Sequence, residues 1–214
     1  MEFKDMGISK QKKIRNIASK YKGLESIELS MLGKYQIENA SLAISCAFAL
    51  KQLGFNISED VIKTGIKATK VPYRFEIIEK GFVLDGAHNP DAVQELCVSL
   101  KDVFPNQKVI FVIGVMQDKD CVNIIQNIFN AEFVRAVVCT QGNSTRFLSA
   151  SELRKEFKKH FDSSINILEE ADFQKAIQLS KFIQNSSEDK LNPVICVCGS
   201  LNLLRSNESS FCLP

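Results

Sequence analysis

No run in this sequence of 214 residues approaches the roughly 20 consecutive apolar residues that span a bilayer, which argues against a transmembrane helix. The lysine-rich start lacks the apolar stretch of a secretory signal, so none is expected. Charge of one sign is scarce in excess: Lys and Arg total 27 against 25 Asp and Glu, leaving +2. That balance excludes a dedicated nucleic-acid binder, and neither nucleic acid nor membrane is expected as a partner. A small anionic ligand needs only a local cluster and stays open. The seven cysteines, Cys46, Cys97, Cys121, Cys139, Cys196, Cys198 and Cys212, form no CxxC pair and no zinc-like spacing. Most sit inside apolar patterns, as core thiols of a reducing cytosol do. A cytoplasmic location is the expectation; a mitochondrial presequence stays open, with Glu2, Asp5 and scarce arginine counting against it. There is no internal repeat and no low-complexity tract. What is present is 45% hydrophobic residues, enough for one substantial core plus a smaller piece.

Periodicity divides the chain at Pro72. Residues 1–30 are lysine-rich and weakly periodic, so they read as a short helix or irregular segment, and the run Lys10, Lys12, Lys13, Arg15 reads as a solvated face. From Gly33 to Leu53, Leu42, Ala43, Cys46, Ala49, Leu50 and Leu53 recur at helical spacing and predict a well-buried helix that Gly54 ends. Ser58 caps a second helix through Ile66, and Lys70-Val71-Pro72 breaks helical geometry. Beyond lie strands at Phe75–Ile78 and Gly81–Leu84, read as a hairpin with one edge partner, then a helix Pro90–Phe104 and a strand Lys108–Ile113. A helix around Val122–Phe129, a strand Val134–Cys139, a helix after the capping box Ser149/Glu152, a strand Ile165–Leu168, a helix from Phe173 and a strand Val194–Cys198 follow. Continuous apolar strands alternating with amphipathic helices predict an α/β fold, a Rossmann-like and mainly parallel sheet flanked by helices. A short helical segment, residues 1–72, precedes this domain of residues 73–214.

In such a sheet the loops after the strands converge at the carboxyl ends, where ligands bind. Here those loops carry Asp85, His88 and Asn89; Asp118, Lys119 and Asp120; Ser144, Thr145 and Arg146; and Gly199 with Ser200. In Leu84-Asp85-Gly86-Ala87-His88-Asn89-Pro90-Asp91 a strand end meets a helix start marked by an asparagine cap and a first-turn proline. The residues alone leave open whether Asp85 caps a turn, His88 is a loop residue, Asp120 caps its helix and Ser200 belongs to a plain turn.

Gly33-Lys34-Tyr35-Gln36-Ile37-Glu38-Asn39-Ala40-Ser41-Leu42-Ala43, Tyr73-Arg74-Phe75-Glu76, Asp85-Gly86-Ala87-His88-Asn89-Pro90, Asp118-Lys119-Asp120 and Gly199-Ser200-Leu201 resemble, in order and spacing, the C-terminal half of folylpolyglutamate synthases of the Mur ligase superfamily. The resemblance implies that residues 1–72 are the tail of a central ATPase domain and residues 73–214 a Rossmann-like ligase domain that closes over the nucleotide. It implies ATP-dependent ligation of L-glutamate to the γ-carboxylate of folate through an acyl phosphate, and extends to bifunctional enzymes that also make dihydrofolate. Position by position, it implies that Asn39 approaches adenine, that Arg74 reaches the ATP phosphates and acts in catalysis, and that Asp85 contacts the nucleotide. It implies that His88, also catalytic, and Ser200 orient the incoming glutamate. Lys119 lies in a matching motif without an implied contact. ATP, glutamate, folate and Mg2+ are the implied partners, the metal and folate positions falling in an N-terminal ATPase half that these residues do not contain. No GxxxxGK[ST] loop occurs in the sequence, so this chain by itself is expected to be inactive. Two other readings stay open: a peptidoglycan Mur ligase fragment, which usually carries tyrosine where Gly86 stands, and a non-catalytic nucleotide or amino-acid binding module.

Overall fold

The computed structural model describes residues 27–161 and 165–211, so the lysine run, most of the segment read as weakly periodic, and Cys212 lie outside the described residues. Two compact units divide between Pro72 and Tyr73.

In the first unit, α1 spans Tyr35–Gln52 and α2 spans Glu59–Ala68. Gly54, at φ 95°, takes the left-handed turn that releases the chain from α1. The Ser58 hydroxyl accepts the Val61 N–H at 3.3 Å and starts α2 as its sequence predicts. The buried face of α1 differs from the expected one. Leu42, at 67% exposure, and Leu53, at 77%, face outward, and Cys46 and Leu50 are exposed with them. Gln36, Ala40 and Ile44 are buried instead, with Ala40 and Ile44 packing on Ile27 and Ile62. The helix carries apolar side chains on all sides, so spacing identifies no unique stripe.

The second unit is a six-stranded sheet in the order β1-β2-β6-β3-β4-β5. Its strands are β1 (Glu76–Glu79), β2 (Phe82–Leu84), β3 (Val109–Ile113), β4 (Val134–Cys139), β5 (Asn166–Glu169) and β6 (Val194–Cys198). Only β1 runs against its neighbour, at one edge; β2, β6, β3, β4 and β5 are parallel. The central strands are buried along their whole length, which is why they read as continuous rather than alternating apolar runs. Helices α3 (Pro90–Val103), α4 (Cys121–Phe129), α5 (Ala150–His160) and α6 (Phe173–Asn185) connect them. The alternating side chains Phe82 and Leu84, Ile110 and Val112, and Ile195 and Val197 share a core with Phe173, Ala176 and Ile177 of α6. Helices α3, α4 and α5 pack in series. Each helix start follows from its cap: Asn89 accepts Ala92 N–H at 2.8 Å, Asp120 accepts Asn123 N–H at 3.2 Å, and Ser149 with Glu152 completes the expected capping box. A further helix, α7 (Leu201–Arg205), follows β6. Its five residues are too few for periodicity to announce it.

Candidate functional site

The parallel strands leave their carboxyl ends on one side, and the loops there are tied to one another by backbone hydrogen bonds. The Asp85 N–H donates to Val197 C=O at 3.0 Å and the Gly199 N–H to Ala87 C=O at 2.8 Å, joining the loop after β2 to the end of β6. Gly114 N–H donates to Cys198 C=O at 3.3 Å, bringing the loop after β3 against the same strand. Gly199, at φ 100°, lies so close that a Cβ there would stand 2.5 Å from the Gly114 carbonyl oxygen. The loops after β3 and β4 are joined by Gln117, whose N–H donates to Arg146 C=O at 2.8 Å and whose side-chain amide donates to Thr145 and Phe147 carbonyls. Sequence reading missed Gln117, because an amide that staples two loops carries no local pattern.

Arg74 stands on the most constrained backbone of this unit. It is exposed between Tyr73, at φ 58°, and Phe75, at φ 48°, both buried. Left-handed geometry in bulky residues costs about 1–2 kcal/mol each, so the surroundings must hold it. They do so through three bonds: Tyr73 N–H to Glu76 Oε2 at 2.8 Å, Phe75 N–H to Asp85 Oδ2 at 2.8 Å, and Gly86 N–H to Tyr73 C=O at 2.7 Å. The Phe75 ring stacks on Phe104, with centroids 6.5 Å apart. Burial pushes the Tyr73 phenol above its usual range, and the hydrogen-bonded Glu208 carboxylate pushes it further. The Arg74 guanidinium forms no hydrogen bond or ion pair with the described residues. A planar, permanently charged donor is thus presented on a rigid base.

Asp85 is only 3% exposed, and its other oxygen accepts Ala87 N–H at 2.7 Å. Its carboxylate therefore holds the turn, whatever else it touches. His88 is half-buried, with Nδ1 2.9 Å from Gly86 C=O. A carbonyl can only accept, so Nδ1 carries the proton there and Nε2 is left for a ligand. Ser200 is 2% exposed and accepts Asn202 N–H at 3.2 Å as the cap of α7, so it does not lie in a plain turn. Asp85, His88 and Ser200 thus come from two adjoining loops. Asn39 belongs to the other unit, where it is exposed within α1 and donates to the Gln36 side chain at 3.1 Å.

In the loop after β3, Asp118 and Lys119 form an ion pair at 3.2 Å. That hydrogen bond holds the Asp118 carboxyl below its usual range, with Arg146 adding to the effect. Asp120 is held low chiefly by the Asn123 side-chain amide and acts as a helix cap. The thiols near the sheet are unreactive in character: burial pushes Cys97 up to about 12 and Cys196 well above its ordinary value. No group of three or more His, Cys, Asp or Glu side chains able to hold a metal ion occurs among the described residues, nor any helix long and apolar enough to cross a membrane.

Residues 73–201 match the family of the Mur ligase glutamate ligase domain. The chain is 26% identical over 180 residues to the dihydrofolate synthase/folylpolyglutamate synthase of Bacillus subtilis, a match covering 83% of this chain and 39% of the relative. It is 28% identical over 166 residues to the UDP-N-acetylmuramoyl-L-alanyl-D-glutamate–2,6-diaminopimelate ligase of Fusobacterium nucleatum, covering 75% of this chain and 33% of that one. The fold is that of Mycobacterium tuberculosis folylpolyglutamate synthase, crystallised with ADP and AMPPCP, at TM-score 0.80 and 23% identity over 89% of this chain and 43% of that structure. The chain therefore spans less than half the length of these relatives.

Proposed function

The chain belongs to the Mur ligase family by its glutamate ligase domain, and from that membership we propose that it is the C-terminal part of a folylpolyglutamate synthase. The reaction is ATP-dependent addition of L-glutamate to folate. The γ-phosphoryl group of ATP passes to an oxygen of the folate γ-carboxylate, leaving ADP. The amine of free glutamate then attacks the acyl phosphate, forms the amide and releases phosphate and a proton. Arg74 steadies phosphate oxygens with a charge already held in place, Asp85 contacts the nucleotide, and Asn39 meets the adenine. His88 Nε2 and the Ser200 hydroxyl orient the incoming glutamate. No GxxxxGK[ST] loop occurs in these 214 residues, and in this reading the phosphate-cradling loop, the folate site and the magnesium ligands are supplied by an ATPase segment outside them. The 214 residues by themselves then neither hydrolyse ATP nor extend folate.

The observation that carries this reading is Arg74, exposed and without a hydrogen bond or ion pair among the described residues, between two buried left-handed residues beside the Asp85–His88 loop. The test is glutamate incorporation by the chain extended upstream through a P-loop, with ATP and glutamate varied separately. Losing a charge-assisted contact costs about 1.5–3 kcal/mol, so Arg74→Ala should raise the ATP requirement at least roughly tenfold, and His88→Ala the glutamate requirement similarly. Near-parental constants for both overturn the assignment. The Fusobacterium match supports a second reading, addition of an amino acid to a UDP-linked precursor. Turnover of such a precursor, with folate left unextended, would select it. Tight glutamate or nucleotide binding without ligation would select a non-catalytic module.

A further inference from the structure

We infer that Glu76 is a positioning residue for Arg74: its carboxylate fixes the left-handed Tyr73 on which the arginine is mounted. The inference rests on the reading of Arg74 as the phosphate-contacting cation and adds to it the group that aims that cation.

Glu76 is the first residue of β1 and half-buried, and its Oε2 accepts the Tyr73 N–H at 2.8 Å across three residues. On the far side of Arg74, Asp85 accepts the Phe75 N–H, also at 2.8 Å. Two carboxylates, one on β1 and one in the loop after β2, therefore clasp the backbone on either side of a single exposed arginine. The rings of Tyr73 and Phe75 are buried, so the clasp cannot drift as a loop would. Tyr73 has no intrinsic preference for φ 58°, and glycine, which would adopt it without cost, is not used there. Removing the Glu76 acceptor leaves the Tyr73 N–H without its partner and lets the residue return to ordinary geometry. The Cα–Cβ direction of Arg74 then swings, and a long side chain amplifies that swing at the guanidinium.

Two measurements test this. In the 214-residue chain, NMR couplings and intraresidue NOEs report the backbone conformation of Tyr73 and Phe75. Tyr73 should be left-handed in the parent and in Glu76→Gln, which keeps an oxygen acceptor, and should leave that region in Glu76→Ala. In the chain extended upstream through a P-loop, Glu76→Ala should raise the KM for ATP about tenfold and leave the KM for glutamate within about twofold. Glu76→Gln should recover most of the loss. Arg74→Ala/Glu76→Ala should be no worse than Arg74→Ala, since the clasp then has nothing to aim. A left-handed Tyr73 in Glu76→Ala overturns the proposal, and so does a Glu76→Ala effect of equal size with and without Arg74. If Arg74→Ala leaves ATP use unchanged, the assignment of Arg74 fails and the positioning role fails with it, while the NMR result still reports separately whether Glu76 holds the turn.

Discussion

Replacing Gly199 with alanine should be among the most damaging single-atom changes in the second unit. Gly199 joins β6 to α7 at φ 100°, and an added methyl would stand 2.5 Å from the Gly114 carbonyl oxygen and 2.8 Å from Ile113 Cγ1. The first of these is backbone, fixed at the end of β3 by the Gly114 N–H to Cys198 bond, so it cannot yield as a side-chain tip would. An L side chain at this φ costs about 1–2 kcal/mol, and overpacking adds about 1–3 kcal/mol. The expected loss is therefore about 2–5 kcal/mol, a large share of ordinary domain stability. At about 2–4 °C per kcal/mol for a chain of this size, Tm should fall by on the order of 10 °C. Urea unfolding followed by far-UV circular dichroism measures it as a lower midpoint at unchanged slope. Gly65→Ala is the matched control, because Gly65 lies in α2 with no atom within 4 Å of its would-be methyl. It should stabilise the first unit by roughly 0.5–1 kcal/mol. A Gly199→Ala protein within about 0.5 kcal/mol of the parent would refute the close approach of the two loops.

Other consequences are open to similar measurement. Ile44→Ala should destabilise the first unit by about 2–5 kcal/mol, whereas Leu42→Ala, on the exposed side of the same helix, should change it by less than about 0.5 kcal/mol; equal losses would mean that the buried face is misassigned. Ser149→Ala removes the hydroxyl that accepts the Glu152 N–H, leaving only the Ser149 backbone N–H to Glu152 carboxylate bond of the α5 capping box, and should cost about 1 kcal/mol in denaturant unfolding, with no measurable change counting against that cap. The buried thiols predict alkaline sensitivity. Burial raises Cys97 from 9.0 to about 12 and also raises Cys139 and Cys196, so the unfolded chain ionises first and stability present below pH 9 should be lost progressively above it. A Cys97→Ala variant with the same alkaline slope would contradict the part assigned to that thiol. Mass mapping after brief treatment with a thiol reagent should find Cys46 modified and Cys97, Cys139, Cys196 and Cys198 protected until denaturant is added.

How much of this was legible in the sequence depends on whether a feature is local. The strands Val134–Cys139 and Val194–Cys198 have the bounds their apolar runs suggest, and Asn89, Asp120 and Ser149 start helices by chemistry within three residues of themselves. The inward face of α1 was illegible because its apolar residues encircle the helix, and the side that is covered is decided by residues outside it, Ile27 and Ile62 with Leu29, Ile57 and Ile66. The Asp85–Asn89 loop was readable as a strand end feeding a helix, and Ser200 as its neighbour across the sheet end followed from parallel topology. What could not be read is why Arg74 is held as it is. Left-handed tyrosine and phenylalanine contradict local preference, and they are imposed by Glu76, Asp85 and Gly86, two of them on another strand end. Glu76 standing three residues after Tyr73 was the available signal, since a carboxylate at that spacing can reach back to a backbone N–H.

If this domain serves ATP-dependent ligation of glutamate to folate through an acyl phosphate, as we propose, an oxygen of the folate carboxylate must leave in the phosphate, and isotope transfer reads that passage. Folate labelled with 18O in its terminal γ-carboxylate would be supplied with ATP and glutamate to the chain extended upstream through a P-loop. The first glutamate added to each labelled folate should send one labelled oxygen into inorganic phosphate, and Arg74→Ala should suppress elongation and labelled phosphate together. Elongated folate accompanied by unlabelled phosphate, or undiminished transfer in Arg74→Ala, would contradict it.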